Sequence, residues 1–259
     1  MPPDLHSLLA DLRAEHEDLA GLVDGADLDG ATPATGWDIR DAVSHLRGTD
    51  REAFRAVTDP EGFLAALPVI AQDVEGFLTG QLREGRALGA DLLVDWHTSF
   101  DLLVKALAVV SPATRIPWYG PPMSPASFAT ARIMEYWAHG QDVADGLGTS
   151  RAPTDRLRHV AHLGVRTRGF SYAVRGLPAP DGDVRVVLSA PGGQPWEWGA
   201  GEQEVRGTAL DFCLLVTQRR HRADLALVAT GALADEWLDV AQAYAGPPGP
   251  GRGRVAGPA

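Results

Sequence analysis

Apolar side chains recur at intervals of three and four along four long segments of the first 150 residues, a period that only helices packed on one face satisfy. Leu5, Leu8, Leu9, Leu12, Leu19, Leu22 and Val23 form the first stripe. Ile39, Val43 and Leu46 begin the second, expected over 37–58, with Thr35 three residues before Asp38 as a candidate cap. Leu88, Leu92, Trp96, Phe100, Leu103, Leu107 and Val110 form the third. The fourth is expected over 124–146, opened by Ser124 as cap and Pro125 in the first turn. Pro60 and Pro68 interrupt the pattern between the second and third stripes, so shorter helical pieces are expected over 63–82. Residues 114–125, rich in proline and aromatics, read as a long connection.

The character changes after Gly148. A helix is expected over 154–174, then a strand over 183–189 with β-branched content, and a hairpin partner over 194–199. Thr208 stands three residues before Asp211 ahead of Phe212, Leu214, Leu215 and Val216, which repeats the capping logic. Residues 225–230 offer another strand and 232–245 a last helix, stopped by Gly246 and Pro247. The chain therefore divides near residue 150 into an all-helical half, 1–150, and a smaller α+β half, 151–245. The Gly/Pro tail, 246–259, cannot form a packed element and is expected to be disordered.

Charge and cysteine content exclude several functions. With 34 acidic against 23 basic residues the formal charge is −11, which repels a phosphate backbone and argues against nucleic acid as a partner. One cysteine, Cys213, rules out internal disulfides, cysteine-clustered zinc and dithiol redox motifs, and points to a reducing, cytoplasmic setting. No segment approaches the roughly 20 apolar residues that span a bilayer, and the first residues lack the basic and apolar regions of a signal peptide, so neither membrane insertion nor export is expected.

Glu135 and His139 are four apart on the fourth expected helix and leave it on one face, the arrangement with which a helix grips a metal ion. The same offset occurs on ordinary surface helices, and both readings stand on spacing alone. The surrounding turn, Ile133 to Gly140, is mostly apolar or aromatic, which directs the pair into a bundle, where a carboxylate needs a compensating partner. His45, beside Val43 and Leu46, is the candidate third ligand, or else a hydrogen-bonded core histidine. Of the others, His6 lies in a first turn, His16 sits on an apolar face without a partner, and His221 lies among arginines. His97 follows Trp96 and either supports the site or is solvated. His159 and His162 form a rival pair in highly charged surroundings.

The run Trp37-Asp-Ile-Arg-Asp-Ala-Val-Ser-His45-Leu, followed about ninety residues later by Glu135-Tyr-Trp-Ala-His139-Gly-Gln-Asp142, resembles the DinB/YfiT-like metal-dependent superfamily, in its actinobacterial branch similar to mycothiol-dependent maleylpyruvate isomerase. The resemblance covers most of the chain. It implies an N-terminal four-helix bundle with a His, Glu, His metal site, here His45, Glu135 and His139, beside a sterol-carrier-like α+β domain. It also implies mycothiol as the thiol co-substrate.

Two imidazoles and one carboxylate leave a metal position open, as catalysis requires. Zinc is the expected ion, although the donor set also suits iron, nickel or manganese. An open position activates water or a thiol at neutral pH. Cys213, set among Phe212, Leu214 and Leu215, reads as buried rather than reactive, so thiol chemistry needs a small-molecule thiol. The expected activity is isomerisation or S-transfer on an electrophilic small molecule. A hydrolase working through hydroxide, or a metal- or ligand-binding accessory protein without turnover, are the alternatives. Arg219, Arg220 and Arg222 either clamp carboxylates of thiol or substrate or form a solvated basic helix end. Asp142 either orients a ligand histidine or faces water.

Overall fold

A carboxylate stands ahead of each of the first four helices and accepts from a first-turn backbone N–H, which fixes where the elements begin. The computed structural model describes residues 4–178, 180–249 and 251–254. Helix α1 spans Leu5–Val23 behind Asp4, which accepts from the Ser7 N–H. Helix α2 spans Ile39–Thr58, and its cap is Asp38 rather than Thr35. Asp38 accepts from the Asp41 N–H while Asp41 accepts from the Asp38 N–H, a reciprocal box that Thr35 cannot enter. The Thr32 N–H donates to the Trp37 carbonyl at 3.0 Å, so the chain turns back on itself just before the helix and leaves Thr35 in that turn.

Asp59 and Asp73 cap α3, Pro60–Ile70, and α4, Val74–Ala87, the two short pieces expected from the interrupted pattern. A single 3-10 turn, Gly89–Asp91, precedes α5, Leu92–Ala108, so the third stripe becomes α-helical one turn late. Ser124 and Pro125 start α6, Pro125–Gly146, as their residue types predict. Helix α1 packs on α6, and α2 packs on α5 and α4. The stripes meet in a core containing Leu8, Leu12, Leu19, Ile39, Val43, Leu46, Leu103, Leu107, Phe128 and Ile133, all essentially sealed from water. Burying each such aliphatic or aromatic side chain contributes about 1.5–3 kcal/mol. Helices α2 and α4 approach so closely that a Cβ on Gly85 would stand 2.1 Å from Ser44 Oγ.

The chain divides into two compact units, Met1–Ser150 and Arg151–Ala259. The second holds α7, Leu157–Arg166, and α8, Arg168–Ala173, then β1, Val184–Ser189, β2, Pro195–Trp198, and β3, Gln203–Thr208. Helix α9, Ala209–Val216, β4, Val228–Thr230, and α10, Ala232–Val240, complete it. The sheet order is β2-β1-β3-β4, with β1 and β3 parallel and both outer pairings antiparallel. Val186 stands opposite Trp198 on one side and Val205 on the other. Thr208 caps α9 through the Asp211 N–H, as expected.

Three expectations in this unit need correction, and one strand goes unforeseen. The helix expected over 154–174 breaks at Thr167, whose hydroxyl bonds the Leu163 carbonyl and also the Gln242 carbonyl at 2.8 Å. The strand expected over 225–230 shortens to Val228–Thr230. The last helix stops at Val240, not 245, because tertiary bonds pull the chain out of it: the Gln242 N–H donates to Ser171 Oγ and the Ala243 N–H to the Val216 carbonyl. Strand β3 has no counterpart in the sequence reading, since Val205 is its one large apolar residue. Of the tail, 246–249 and 251–254 carry neither helix nor strand, and Gly246 accepts from Gln242 Nε2 at 3.0 Å. Residues 250 and 255–259 lie outside the described residues. Among the described residues no single helix is long and apolar enough to cross a membrane.

His16, which the sequence leaves without a partner, is one of the best-surrounded side chains of the helical unit. It stacks on Phe100 at 3.8 Å, and its ring nitrogens lie 2.7 Å from His97 Nδ1 and 3.3 Å from the Tyr136 hydroxyl. Burial, reinforced by the neighbouring His97, pushes its pKa down to about 3. The unfolded chain therefore binds this proton more readily than the folded one, and stability falls as pH drops from about 6.5 toward 3. The slope from this group alone is up to roughly 1.4 kcal/mol per pH unit. Urea unfolding of wild type and His16→Gln across that window is expected to show a shallower acid loss in the variant, and superimposable pH profiles would contradict the assignment.

Candidate metal centre

Side chains from two helices bring the sequence-derived ligand set together. His45 leaves the buried face of α2, and Glu135 and His139 leave α6 one turn apart. One donor atom of each lies within 4.8 Å of the others, the one such group of three among the described residues. Glu135 Oε2 is 3.4 Å from His139 Nε2 and 3.7 Å from His45 Nε2. For bonds of about 2.1 Å, neighbouring donors around a tetrahedral ion lie about 3.4 Å apart, so the spacing fits such an ion. The side chains remain 12–25% exposed, which leaves a route from solvent to the space between them. Trp37, just ahead of α2, stacks on the His139 ring at 5.8 Å and tilts against His45 at 5.2 Å, walling one side.

The charges suit a cation as well. Burial works to raise the Glu135 carboxyl, but the hydrogen bonds and charges of His139 and His45 outweigh it and hold the group well below the usual carboxylate range. His45 is shifted down, chiefly by burial, with Glu135 opposing in part. Near neutral pH the set therefore presents an ionised oxygen and a neutral imidazole, the protonation states in which these groups bind metals.

Asp142 is sealed in the fold with Oδ2 3.5 Å from His139 Nδ1. A carboxylate there favours the tautomer with the proton on Nδ1 and leaves the Nε2 lone pair facing Glu135. His97 stands elsewhere: exposed on α5, it bonds His16. Arg219, Arg220 and Arg222 follow the end of α9, beside Gln218, the one described non-glycine residue with positive φ, at 59°. Arg220 and Arg222 line a cavity of about 720 Å³ with Arg175 and His221. Arg222 is engaged within the unit by Asp235 and by Asp239, the latter at 2.5 Å. Arg219 and Arg220 donate to backbone carbonyls of Thr217 and Arg219.

The sequence reading missed a polar node behind the ligands. Asp50, fully buried on α2, accepts from Arg132 at 2.7 Å and from the Tyr136 hydroxyl at 2.5 Å, both on α6. Trp96 on α5 donates to the same hydroxyl at 2.9 Å. The only hint was negative: Arg132 falls on the apolar side of a helix, where a lone charge needs a partner.

Comparison with known proteins gives concordant relationships. Residues 9–144 match the family described as the mycothiol maleylpyruvate isomerase N-terminal domain. Two uncharacterized proteins from different strains of Mycobacterium tuberculosis are each 47% identical over 250 residues, covering 94% of this chain and 97% of theirs. The crystal structure of the mycothiol-dependent maleylpyruvate isomerase superposes with a TM-score of 0.59 at 15% identity, over 87% of this chain and 93% of that one. A histidine-to-alanine mutant of that enzyme gives the same score at 14% identity.

His45→Ala and His139→Ala are each expected to remove most of the zinc retained after metal loading and dialysis while far-UV circular dichroism keeps its helical signal. Full metal retention in either purified variant would dismiss the site.

Proposed function

The chain belongs to the mycothiol maleylpyruvate isomerase N-terminal domain family, and from that premise we propose that it is a metal-dependent enzyme using a small-molecule thiol, mycothiol, to isomerise or S-transfer an electrophilic small molecule. The observation that carries this reading is the convergence of His45, Glu135 and His139, with donor atoms within 4.8 Å of one another and side chains still partly exposed. A divalent cation held there, zinc by preference, supplies a thiol with a lowered pKa at neutral pH.

The chain's own residues do the rest. His45 and His139 present imidazole nitrogens, and Glu135 supplies the anionic oxygen that offsets part of the cation's charge. Asp142 holds the His139 ring in the binding tautomer. Trp37 places an aromatic face against the two ligand imidazoles, which limits water on that side of a bound thiol. Cys213 is sealed, with its thiol directed at the Leu157 carbonyl, so the reacting sulfur comes from solution. A thiolate adding to an alkene carbon and leaving again permits rotation about that bond, which is isomerisation; a thiolate that stays, or expels a leaving group, gives S-transfer. Arg219, Arg220 and Arg222 are the candidates to receive a substrate or thiol carboxylate, and the last two line one cavity. Arg222 already serves two carboxylates, so a third would have to displace one.

Zinc-loaded protein given mycothiol and maleylpyruvate is expected to form product only when both metal and thiol are present. Turnover without thiol would instead indicate a hydrolase, and thiol affinity without product an accessory binder. Arg220→Ala is expected to raise KM for a carboxylate-bearing reactant such as maleylpyruvate about tenfold with little change in melting temperature, the loss of one charge-assisted bond. Unchanged kinetics would return the arginines to a surface role.

A further inference from the structure

The polar node behind the ligands draws on all four long helices of the N-terminal unit. Asp50 and Thr49 come from α2, Arg132 and Tyr136 from α6, Trp96 from α5 and His16 from α1. Asp50, Tyr136 and Trp96 are wholly buried, Arg132 is 3% exposed, and Asp50 Oδ1 and Oδ2 each have a donor. The Tyr136 hydroxyl, giving its proton to Asp50, takes one from Trp96 Nε1 and lies against His16 Nδ1.

Such a cluster is a poor way to gain stability. Desolvating a carboxylate and a guanidinium costs several kcal/mol each, and apolar residues of similar volume often serve as well or better. Its position suggests another use. Arg132 is three residues before Glu135 and Tyr136 is one after it, so the two α6 members of the node bracket the carboxylate ligand. On α2 the link reaches the ligand's own backbone: Arg132 donates to Thr49 Oγ1 at 3.0 Å, and Thr49 Oγ1 donates to the His45 carbonyl at 2.9 Å. Helices gripped only by aliphatic side chains can slide or rotate at small cost, whereas a directional, fully buried ion pair admits one register. A centre built across two helices needs its donors held to about 0.5 Å.

We propose that Asp50, Arg132 and Tyr136 are positioning residues for the metal centre, locking the register of α2 against α6 so that His45 stands opposite Glu135 and His139. This rests on the reading of those three residues as metal ligands. The node acts through the two helices, and the Arg132 charge is also felt by Glu135 and His45, which is why the test removes Asp50 and Arg132 together.

The test replaces the pair rather than breaking it. In the full chain, Asp50→Leu with Arg132→Met removes both charges and leaves the Tyr136 hydroxyl able to donate to His16. The double variant is expected to melt in its metal-free form at or above the wild-type temperature. It is also expected to bind cobalt(II) about 10- to 100-fold more weakly, with an altered visible absorption spectrum. A merely structural role would lower the melting temperature and leave affinity and spectrum alone. A folded double variant with wild-type affinity and spectrum would overturn the proposal. If the double variant does not fold, Asp50→Asn, which keeps the shape and one acceptor, decides on the same readouts: weakened cobalt binding supports the proposal and wild-type binding overturns it. Wild-type protein that binds neither cobalt nor zinc would remove the metal-centre reading and this proposal with it. That outcome is read before any variant is compared.

Discussion

A carboxylate taken wholly out of water at Asp50 is the interaction on which the arrangement of the helical unit turns. The apolar stripes of α1, α2, α5 and α6 bring the helices together, but dispersion contacts have no direction and small repackings of aliphatic side chains are tolerated. Asp50 removes that tolerance. Any register that withdraws Arg132 or Tyr136 strands a buried charge, at a penalty of several kcal/mol. The close approach of α4 at Gly85 to Ser44 acts on the outer side of α2 in the same sense, since it leaves no space for a side chain between the two helices.

With the register fixed, the meeting of the three donors follows from helical geometry. The offset of four residues places Glu135 and His139 on one face of α6, and His45 meets them from α2, so the three donors lie within 4.8 Å of one another. The charge state is settled by the same proximity. Two imidazoles hold the Glu135 carboxyl ionised despite its burial, and burial keeps His45 neutral. For an unaccompanied carboxylate there burial would act alone and raise its pKa, and an unaccompanied pair of imidazoles would lack the negative oxygen that lowers the cost of bringing a divalent ion out of water.

What the sequence made legible was whatever is written locally. The stripes, the Ser124 and Thr208 caps and the Glu135/His139 spacing are all decided within a few residues, and they stand where the periodicity puts them. His45 needed the family resemblance, because nothing near it distinguishes a ligand from a core histidine. Tertiary decisions stayed hidden. Strand β3 is a strand because β1 and β4 bond to it on both sides, not because Gln203–Thr208 favours one. Helix α10 ends at Val240 because Ser171 and Val216 capture the next backbone groups. Asp50 and its partners are 82 and 86 residues apart in the chain, and in sequence Asp50 reads as one more polar residue beside Thr49 and Arg51. His97 reads in sequence as either supporting the site or solvated; it is exposed, and its partner is His16, from a helix the local pattern could not bring to it.

The chain's own sulfur is poorly placed to act as a nucleophile. Its single thiol is sealed among apolar residues at the Phe212 to Leu215 turn of α9 and directed at a backbone carbonyl, a setting that opposes formation of the thiolate. A centre with an open position therefore has two sources of nucleophile, water and an external thiol. Water is always present, so an enzyme that uses a thiol must favour sulfur through the rest of the site. Trp37 bears on that choice, because a flat aromatic face beside His139 pairs well with a polarisable sulfur and its aliphatic neighbours and poorly with a small hydrated oxygen.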